Sequence, residues 1–231
     1  MQQPSSSPGA NARLAFTPYQ KRLFGFLSVA TFFEGYDFFA LSQLLPNLRA
    51  YFGLTPTEGT TMVGVINAGT VLAYLVVSRA DRWGRKRVLM VTILGYTGCT
   101  LLSALAPNAI SFTLFQLLAR VFLIGEWATS MVIAAEEFPA ERRGMVIGVV
   151  SAASGFGSIV CAALVPLLLQ TELGWRSVYL LGVVPLLLLA YARRGLRETE
   201  RFEAQRDVAK PSLWAIWQTA SRRRVLQLGA I

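Results

Sequence analysis

The stretch DRWGRKR, from Asp81 to Arg87, separates two long apolar segments that end near Val77 and begin at Val88. Five cations lie in or beside it, at positions 79, 82, 85, 86 and 87. A short basic turn between two segments of membrane length must lie on one water-facing side of a bilayer. Because cytoplasmic loops carry an excess of lysine and arginine, this turn is predicted to face the cytoplasm. The stretch therefore predicts an all-α, multi-pass membrane protein.

The composition indicates the same class. The chain is 54% hydrophobic and 15% charged, whereas soluble domains carry about 25% charged residues. Its net charge of +9 is typical of nucleic-acid-binding proteins, but the cations gather beside apolar segments, which excludes nucleic acid as a partner. The chain has no histidine, the commonest general base and metal ligand, and both cysteines lie in apolar segments. We therefore expect no enzyme activity, no metal and no cofactor.

Six apolar segments are long enough, or nearly so, to cross a bilayer as helices, which takes about 20 residues. They cover residues 24–45, 61–77, 88–105, 110–135, 145–169 and 178–192. The predicted organisation is a cytoplasmic N-terminal segment (1–22), a six-helix bundle (23–192), a cytoplasmic central-loop segment (193–224) and the start of a truncated seventh helix (225–231).

The distribution of cations predicts the orientation of this bundle. Of the 22 lysines and arginines, 19 lie in the N-terminal segment, the second-to-third loop, the fourth-to-fifth loop and the tail. The opposite loops hold only Arg49 and Arg176, and Arg120 lies inside the fourth apolar segment. This alternation predicts a cytoplasmic N-terminus in the cell (inner) membrane.

The first apolar segment contains two acids, Glu34 and Asp37, within FFEGYDFF. Residues three apart share one helix face, and an ionised carboxylate near mid-membrane must face protein or a water-filled cavity. Two acids in a poorly hydrated cavity also repel each other. One of the two acids can therefore hold a proton near neutral pH, as proton coupling requires. The alternative is a structural pair that a neighbouring cation or hydroxyl groups satisfy.

The fourth apolar segment contains Gln116, Arg120 and Glu126. At 100° per residue, Gln116 and Arg120 lie about 40° apart, whereas Glu126 lies about 120° from Arg120 and is not a simple same-face partner. An arginine inside a bundle can bind a carboxylate through two parallel hydrogen bonds. The candidate partners of Arg120 are Glu34, Asp37 and an anionic substrate, and a purely structural ion pair is the alternative.

The end of the fourth segment carries acids next to cations, in EEFPAERRG. Glu136 meets the predicted cytoplasmic face at the depth of the DRWGRKR turn, with Arg142 and Arg143 just beyond. These charges predict a network that closes the cytoplasmic face. The alternative is a set of solvated charges, each of which contributes little to stability.

These motifs resemble those of the major facilitator superfamily, whose second-to-third loop has the pattern G-x-x-x-D-R-x-G-R-[KR]. The chain matches every specified position from Asp81 to Lys86 and departs at the first glycine, which is Val77. Its EGYD, GEW, E-x-F-P, RRG and GWR motifs are similar to those of the metabolite and aromatic-acid:proton symporter branch. It departs from that branch at Gln116, where relatives usually have an arginine, and has its own arginine one turn later, at position 120.

The resemblance implies one half of a transporter fold, a 3+3 repeat of helices, that moves a small metabolite by proton-coupled symport. The solute would be an organic anion or a sugar-like molecule. In the family the turn's Asp meets a helix terminus of the other half and its Arg pairs with the acid that ends the fourth helix, roles that fall to Asp81, Arg85 and Glu136. One half cannot form the whole pathway, so the expected partners are the lipid bilayer, protons, the solute, and a missing C-terminal half or another chain. A non-transporting truncated protein or interaction module is the alternative.

Two groups of candidate residues follow. The pathway group comprises Glu34, Asp37, Gln116, Arg120 and Glu126. The cytoplasmic gating group comprises Asp81, Arg82, Gly84, Arg85, Lys86, Glu136, Arg142 and Arg143.

Overall fold

The computed structural model describes residues 16–195, apart from the side chains at positions 75, 76 and 78–82. Over this range the chain forms six α-helices and a final 3₁₀ turn. They are α1 (Pro18–Phe52), α2 (Pro56–Trp83), α3 (Arg85–Ala104), α4 (Ala109–Glu137), α5 (Ala140–Leu168), α6 (Trp175–Ala192) and the turn Arg193–Gly195. The all-α class and the six helices are confirmed. The predicted segment 225–231, residues 196–224 and the first 15 residues lie outside the described residues.

The DRWGRKR stretch is almost entirely helical, which differs from the predicted turn. Only Gly84 separates α2 from α3, and its φ of 98° lies in the region that favours glycine. The charged residues on both sides continue the helices because arginine and lysine are good helix formers. The prediction placed the helix ends at Val77 and Val88 because it followed hydrophobicity alone.

Side-chain caps fix the starts of two of the other helices. The Thr17 hydroxyl accepts a hydrogen bond from the Gln20 N–H at 3.1 Å, while the Gln20 side chain accepts one from the Thr17 N–H at 3.0 Å. At the start of α4 the Asn108 side chain accepts from the Ser111 N–H at 2.9 Å. These partners satisfy backbone donors that the first helical turn leaves unpaired.

Two glycines allow α1 and α5 to pack with their backbones in contact. A Cβ atom added at Gly157 would lie 1.9 Å from the Phe32 carbonyl oxygen, and one added at Gly35 would lie 2.0 Å from the Ser154 carbonyl oxygen. The Ser158 hydroxyl donates to the Gly35 carbonyl across the same contact at 3.0 Å. Small residues therefore fix the α1–α5 crossing, as is usual for membrane helices.

The other helices complete a bundle around α1 and α4. α4 packs mainly on α3 and α2, and α6 packs on α3 and α1. Within the described residues, five helices are long and apolar enough to cross a membrane, namely α1, α3, α4, α5 and α6. α2, part of whose side chains lies outside the described set, is not among these five. The chain is a multi-pass membrane protein whose polar side chains are buried where α1 and α4 meet the other helices.

Candidate functional site

Asp37 on α1 and Arg120 on α4 form the first buried charge group, the Asp37–Arg120 group. Their side chains are 6% and 4% exposed. The Asp37 carboxylate interacts with the Arg120 guanidinium and with the Tyr96 hydroxyl of α3. The guanidinium carbon lies 4.5 Å from the centroid of the Phe38 ring, a cation–π distance. Of the two partners that the sequence left open for Arg120 on α1, the structure places Asp37 beside it.

Arg120 and Gln116 both have side-chain donors that form no hydrogen bond with the described residues. These donors are the Nη1 of Arg120 and the Nε2 of Gln116, and both atoms are buried. The two residues are one turn apart and both are buried, in agreement with the 40° separation. α4 therefore presents two unsatisfied donors on one face, an arrangement that suits an anionic or carbonyl-bearing group.

A glycine of α2 fixes α4 at the level of Arg120. A Cβ atom at Gly69 would lie 2.7 Å from the Leu117 carbonyl oxygen and 3.1 Å from the Arg120 Cβ. Any larger residue at position 69 would therefore displace the backbone that carries the arginine. This close approach fixes the backbone that carries Arg120 relative to α2.

Glu34 lines a cavity between α1, α4 and α5. The cavity has a volume of about 250 Å³, and its lining residues are Glu34, Phe38, Leu123, Ile124, Trp127 and Ser154. Glu34 is 4% exposed, and neither of its carboxyl oxygens has a hydrogen-bond partner among the described residues. An unpaired carboxylate would be costly in this position, so the neutral, protonated form suits the site.

Glu126 belongs to a second buried charge group, the Glu126–Arg193 group. Its carboxylate forms an ion pair with the Arg193 guanidinium and accepts a hydrogen bond from the Thr92 hydroxyl at 2.7 Å. Arg193 is fully buried and also donates to the Phe26 carbonyl at 3.1 Å. This group joins α4 to α1, to α3 and to the end of α6. Glu126 thus points away from Arg120, as the 120° separation predicted.

The two acids of α1 have different electrostatic surroundings. The charged groups that act on Glu34 are Glu126 and Arg193, whereas the cation that acts on Asp37 is Arg120. The sequence predicted one shared environment because the acids lie three residues apart. The structure separates them because α4 supplies a different charged residue at each level of α1.

Sequence reasoning missed Arg193, which it placed at the start of the cytoplasmic central-loop segment. The last apolar residue of α6 is Ala192, and hydrophobicity ends the predicted helix there. The buried positions Leu186, Leu189 and Ala190 nevertheless continue to position 193 with helical spacing. This periodicity was the available signal, since a buried Glu126 requires a buried cation.

In the cytoplasmic gating group, Arg85 and Glu136 form an ion pair. The Arg85 guanidinium lies 3.0 Å from the Glu136 carboxylate, and the two side chains are 11% and 12% exposed. The contact expected between these residues is present, while their role in gating stays a prediction. Gly84 supplies the backbone geometry that starts α3 beside this pair.

Three other members of the gating group, Lys86, Arg142 and Arg143, have described side chains. Arg142 stacks over the Phe16 ring, with 5.4 Å between the guanidinium carbon and the ring centroid. Lys86 and Arg143 are partly buried. The Gln20 side chain donates to the Glu137 carbonyl at 2.8 Å, which ties the start of α1 to the end of α4. The side chains of Asp81 and Arg82 lie outside the described residues.

Comparison with known proteins gives a consistent result. The family model described as "Major Facilitator Superfamily" matches residues 27–231. The chain is 30% identical to the "Probable 4-methylmuconolactone transporter" of Cupriavidus pinatubonensis, over 85% of this chain and 47% of that protein. It is 31% identical to the gallate transporter of Pseudomonas putida, over 76% of this chain and 39% of that protein. The chain therefore spans less than half the length of these two relatives.

Solved structures share the fold. A proton:xylose symporter bound to 6-bromo-6-deoxy-D-glucose superimposes with a TM-score of 0.72 at 17% sequence identity. The match covers 82% of this chain and 47% of the symporter. At this identity the likeness concerns the arrangement of the helices.

Proposed function

Because this chain belongs to the Major Facilitator Superfamily, we propose that it is the N-terminal six-helix half of a secondary transporter that carries a small metabolite together with protons. The resemblance noted from the motifs is confirmed, including the branch of metabolite and aromatic-acid transporters. The two curated relatives are transporters and not enzymes.

The observation that carries the proposal is the Asp37–Arg120 group. A buried arginine can exchange one anionic partner for another when it lies beside a buried acid and its Nη1 has no hydrogen-bond partner among the described residues. While Asp37 is ionised it attracts the guanidinium, and once Asp37 is protonated Arg120 is free to bind an anionic solute. Binding of the proton and binding of the anion then favour each other, which is the requirement for symport.

The proposed solute is a small unsaturated or aromatic organic acid. The relatives named for gallate and 4-methylmuconolactone support this class. The half-exposed rings of Phe38 and Trp127 line the cavity beside Glu34 and offer flat apolar surfaces to a planar solute. A sugar-like solute is the alternative within the same proposal.

We also propose that a second six-helix unit completes the pathway. Transporters of this kind bind their solute between two halves that rock against each other. In a 3+3 repeat, α1, α2 and α3 correspond to α4, α5 and α6. The contacts within the chain support this repeat, because the α1–α5 contact corresponds to the α4–α2 contact and the α3–α4 contact corresponds to the α6–α1 contact. The predicted linker of residues 193–224, apart from Arg193, which is buried in the Glu126–Arg193 group, would then lead from this half to a seventh helix beginning at 225. The unit could follow in the same polypeptide or come from another chain.

The proposed topology places the N-terminus and the Arg85–Glu136 pair in the cytoplasm of a cell-membrane protein. The test is single-cysteine labelling at Asn108 and at Lys86, after Cys99 and Cys161 have been replaced by serine. A membrane-impermeant maleimide added to intact cells is expected to label position 108 and not position 86. External labelling of position 86 would invert the topology.

The test of transport uses the chain together with the six-helix unit encoded downstream of Ile231 or supplied by a partner gene. Membrane vesicles containing both should accumulate labelled gallate when a pH gradient is imposed. A protonophore, which dissipates the gradient, should abolish this accumulation. Vesicles that contain the chain alone serve as the control and should not accumulate it. If no second unit completes transport of gallate, related organic acids or sugars, the chain is a non-transporting membrane module.

A further inference from the structure

The cluster of Glu34, Glu126 and Arg193 contains two carboxyl groups and one cation. Arg193 is bonded to Glu126, and both residues also act electrostatically on Glu34. With all three residues ionised, the cluster would hold a net negative charge in the apolar interior, which is unfavourable. With one proton added it is neutral. The charge balance therefore favours one bound proton in this cluster.

The pattern of hydrogen bonds indicates where that proton resides. Glu126 has two partners, Arg193 and Thr92, so it is stabilised as a carboxylate. Glu34 has none at either oxygen within the described residues. The proton therefore belongs on Glu34, the acid of the cluster that lines the cavity.

Arg193 retains an unused donor. Its Nη1 donates to Glu126 and its Nη2 to the Phe26 carbonyl, while Nε has no partner in the part of the chain that the structure describes. Arg193 and Glu34 are 0% and 4% exposed. Because nearly all buried polar groups in native proteins are paired, an unused donor and an unused acceptor in one buried cluster point to a second arrangement in which the two meet.

We propose that Arg193 is a positioning residue shared by two carboxylates, which holds Glu126 ionised while Glu34 carries a proton and receives Glu34 when that proton leaves. The inference rests on the proposed proton-coupled function and assigns one of its proton-exchanging sites. In this step one proton passes from the Glu34 carboxyl to water in the cavity, and the Nε–H of Arg193 donates to the new carboxylate. Arg193 keeps its charge, and Glu126 keeps the Thr92 hydrogen bond.

The titratable and charged groups that face Glu34 come from several elements. They are Glu126 on α4, Arg193 after α6 and Tyr96 on α3, with Asp37 one turn away on α1. α5 contributes the neutral Ser154 to the cavity wall. Because Arg193 also donates to Phe26 of α1, its movement toward Glu34 would shift the end of α6 relative to α1.

The experiment measures the protonation of Glu34 directly, by infrared spectroscopy of the purified full chain in lipid nanodiscs during a pH titration. The readout is the C=O stretching band of a protonated carboxyl group, assigned to Glu34 by its loss in Glu34→Gln. At neutral pH the parent should show this band. Glu126→Gln should abolish it, because Arg193 becomes available to Glu34. Arg193→Gln should instead keep the band to a higher pH than in the parent.

Controls separate this result from a folding defect. Glu136→Gln removes another acid of α4 from an ion pair and should leave the Glu34 titration unchanged. If a single variant loses its helical circular-dichroism signal, Glu126→Gln/Arg193→Gln removes both partners together and should retain the Glu34 band at neutral pH. Absence of the band in the parent, or an unchanged Glu34 titration in a folded Glu126→Gln, would overturn the proposal. The measurement needs neither solute nor second half, so its outcome is independent of the transport test.

Discussion

The Asp37–Arg120 and Glu126–Arg193 groups are both buried and share one helix, α4, yet they differ in how their charged groups are bonded. The Glu126 carboxylate has an ion pair and a hydroxyl donor. Arg120 is stacked on Phe38, and its Nη1 has no hydrogen-bond partner among the described residues. A buried carboxylate with its partners in place is fixed, whereas an arginine nitrogen without a partner can take another one. The comparison assigns the exchange of solute and proton at Asp37 to the first group. In the second group Glu126 is the anchored member, while the Nε of Arg193 is left for Glu34.

The same comparison explains why the acids of α1 differ. Asp37 faces a cation that can be released, and Glu34 faces a cation that is already engaged. Burial removes solvation from both acids, but the neighbouring cation determines which partner each carboxylate has when it is ionised.

Asp37→Asn should abolish proton-driven accumulation in the completed transporter. The amide mimics the protonated acid permanently, so Arg120 can bind an anion but no proton is taken up or released. Counterflow exchange, which needs no net proton movement, should persist. Uptake and counterflow in vesicles, with and without a pH gradient, measure the two activities. Glu34→Gln is expected to give a similar or milder defect. If Asp37→Asn accumulates solute like the parent, Asp37 is not part of the coupling mechanism.

Arg193→Ala should be the most destabilising change in the two groups. It leaves Glu126 buried without its cation, and breaking a buried pair in this way costs about 3–5 kcal/mol. Denaturant unfolding in mixed micelles, followed by tryptophan fluorescence, measures the loss. Glu126→Gln/Arg193→Gln is the matched control and should recover most of the stability. Equal stability of parent and Arg193→Ala would show that the pair is not an anchor.

Arg120→Ala should weaken solute binding more than it weakens the fold. A charge-assisted hydrogen bond contributes about 1.5–3 kcal/mol, so KM for an anionic solute should rise roughly ten- to hundredfold. Arg120→Lys keeps the charge but not the planar pair of donors, and should recover part of the affinity. A KM that does not change in Arg120→Ala would mean that the arginine binds Asp37 alone.

Arg85→Ala should have the smallest effect on stability. The Arg85–Glu136 pair is partly buried at the helix ends, with side chains 11% and 12% exposed, whereas those of Arg193 and Glu126 are 0% and 2% exposed. Its loss should therefore cost less than the loss of the Glu126–Arg193 pair. Membrane insertion should be intact, while uptake by the completed transporter should fall if the pair closes the cytoplasmic face. Unchanged uptake would exclude the gating role and leave the pair as a minor contact between α3 and α4.

The sequence predicted the six helices well because their apolar lengths are a direct consequence of the membrane. It misjudged helix ends, since the helices continue through the charged residues around Gly84. It predicted the faces of Gln116, Arg120 and Glu126 correctly because helical geometry alone determines them. It could not choose between Glu34 and Asp37 as the partner of Arg120, because that choice depends on how α1 and α4 are positioned by distant contacts such as that at Gly69. Arg193 was missed because a charged residue after an apolar segment is normally solvated.

The central claim is that the acids of α1 move protons together with the solute. Its most direct test is the pH of a weakly buffered suspension of cells or vesicles that contain the completed transporter, recorded when gallate is added without an imposed gradient. The account predicts that the external medium becomes more alkaline as protons enter with the solute, and that Asp37→Asn abolishes this change while counterflow persists. Solute entry without a pH change in the parent, or an unaltered pH change in Asp37→Asn, would contradict it.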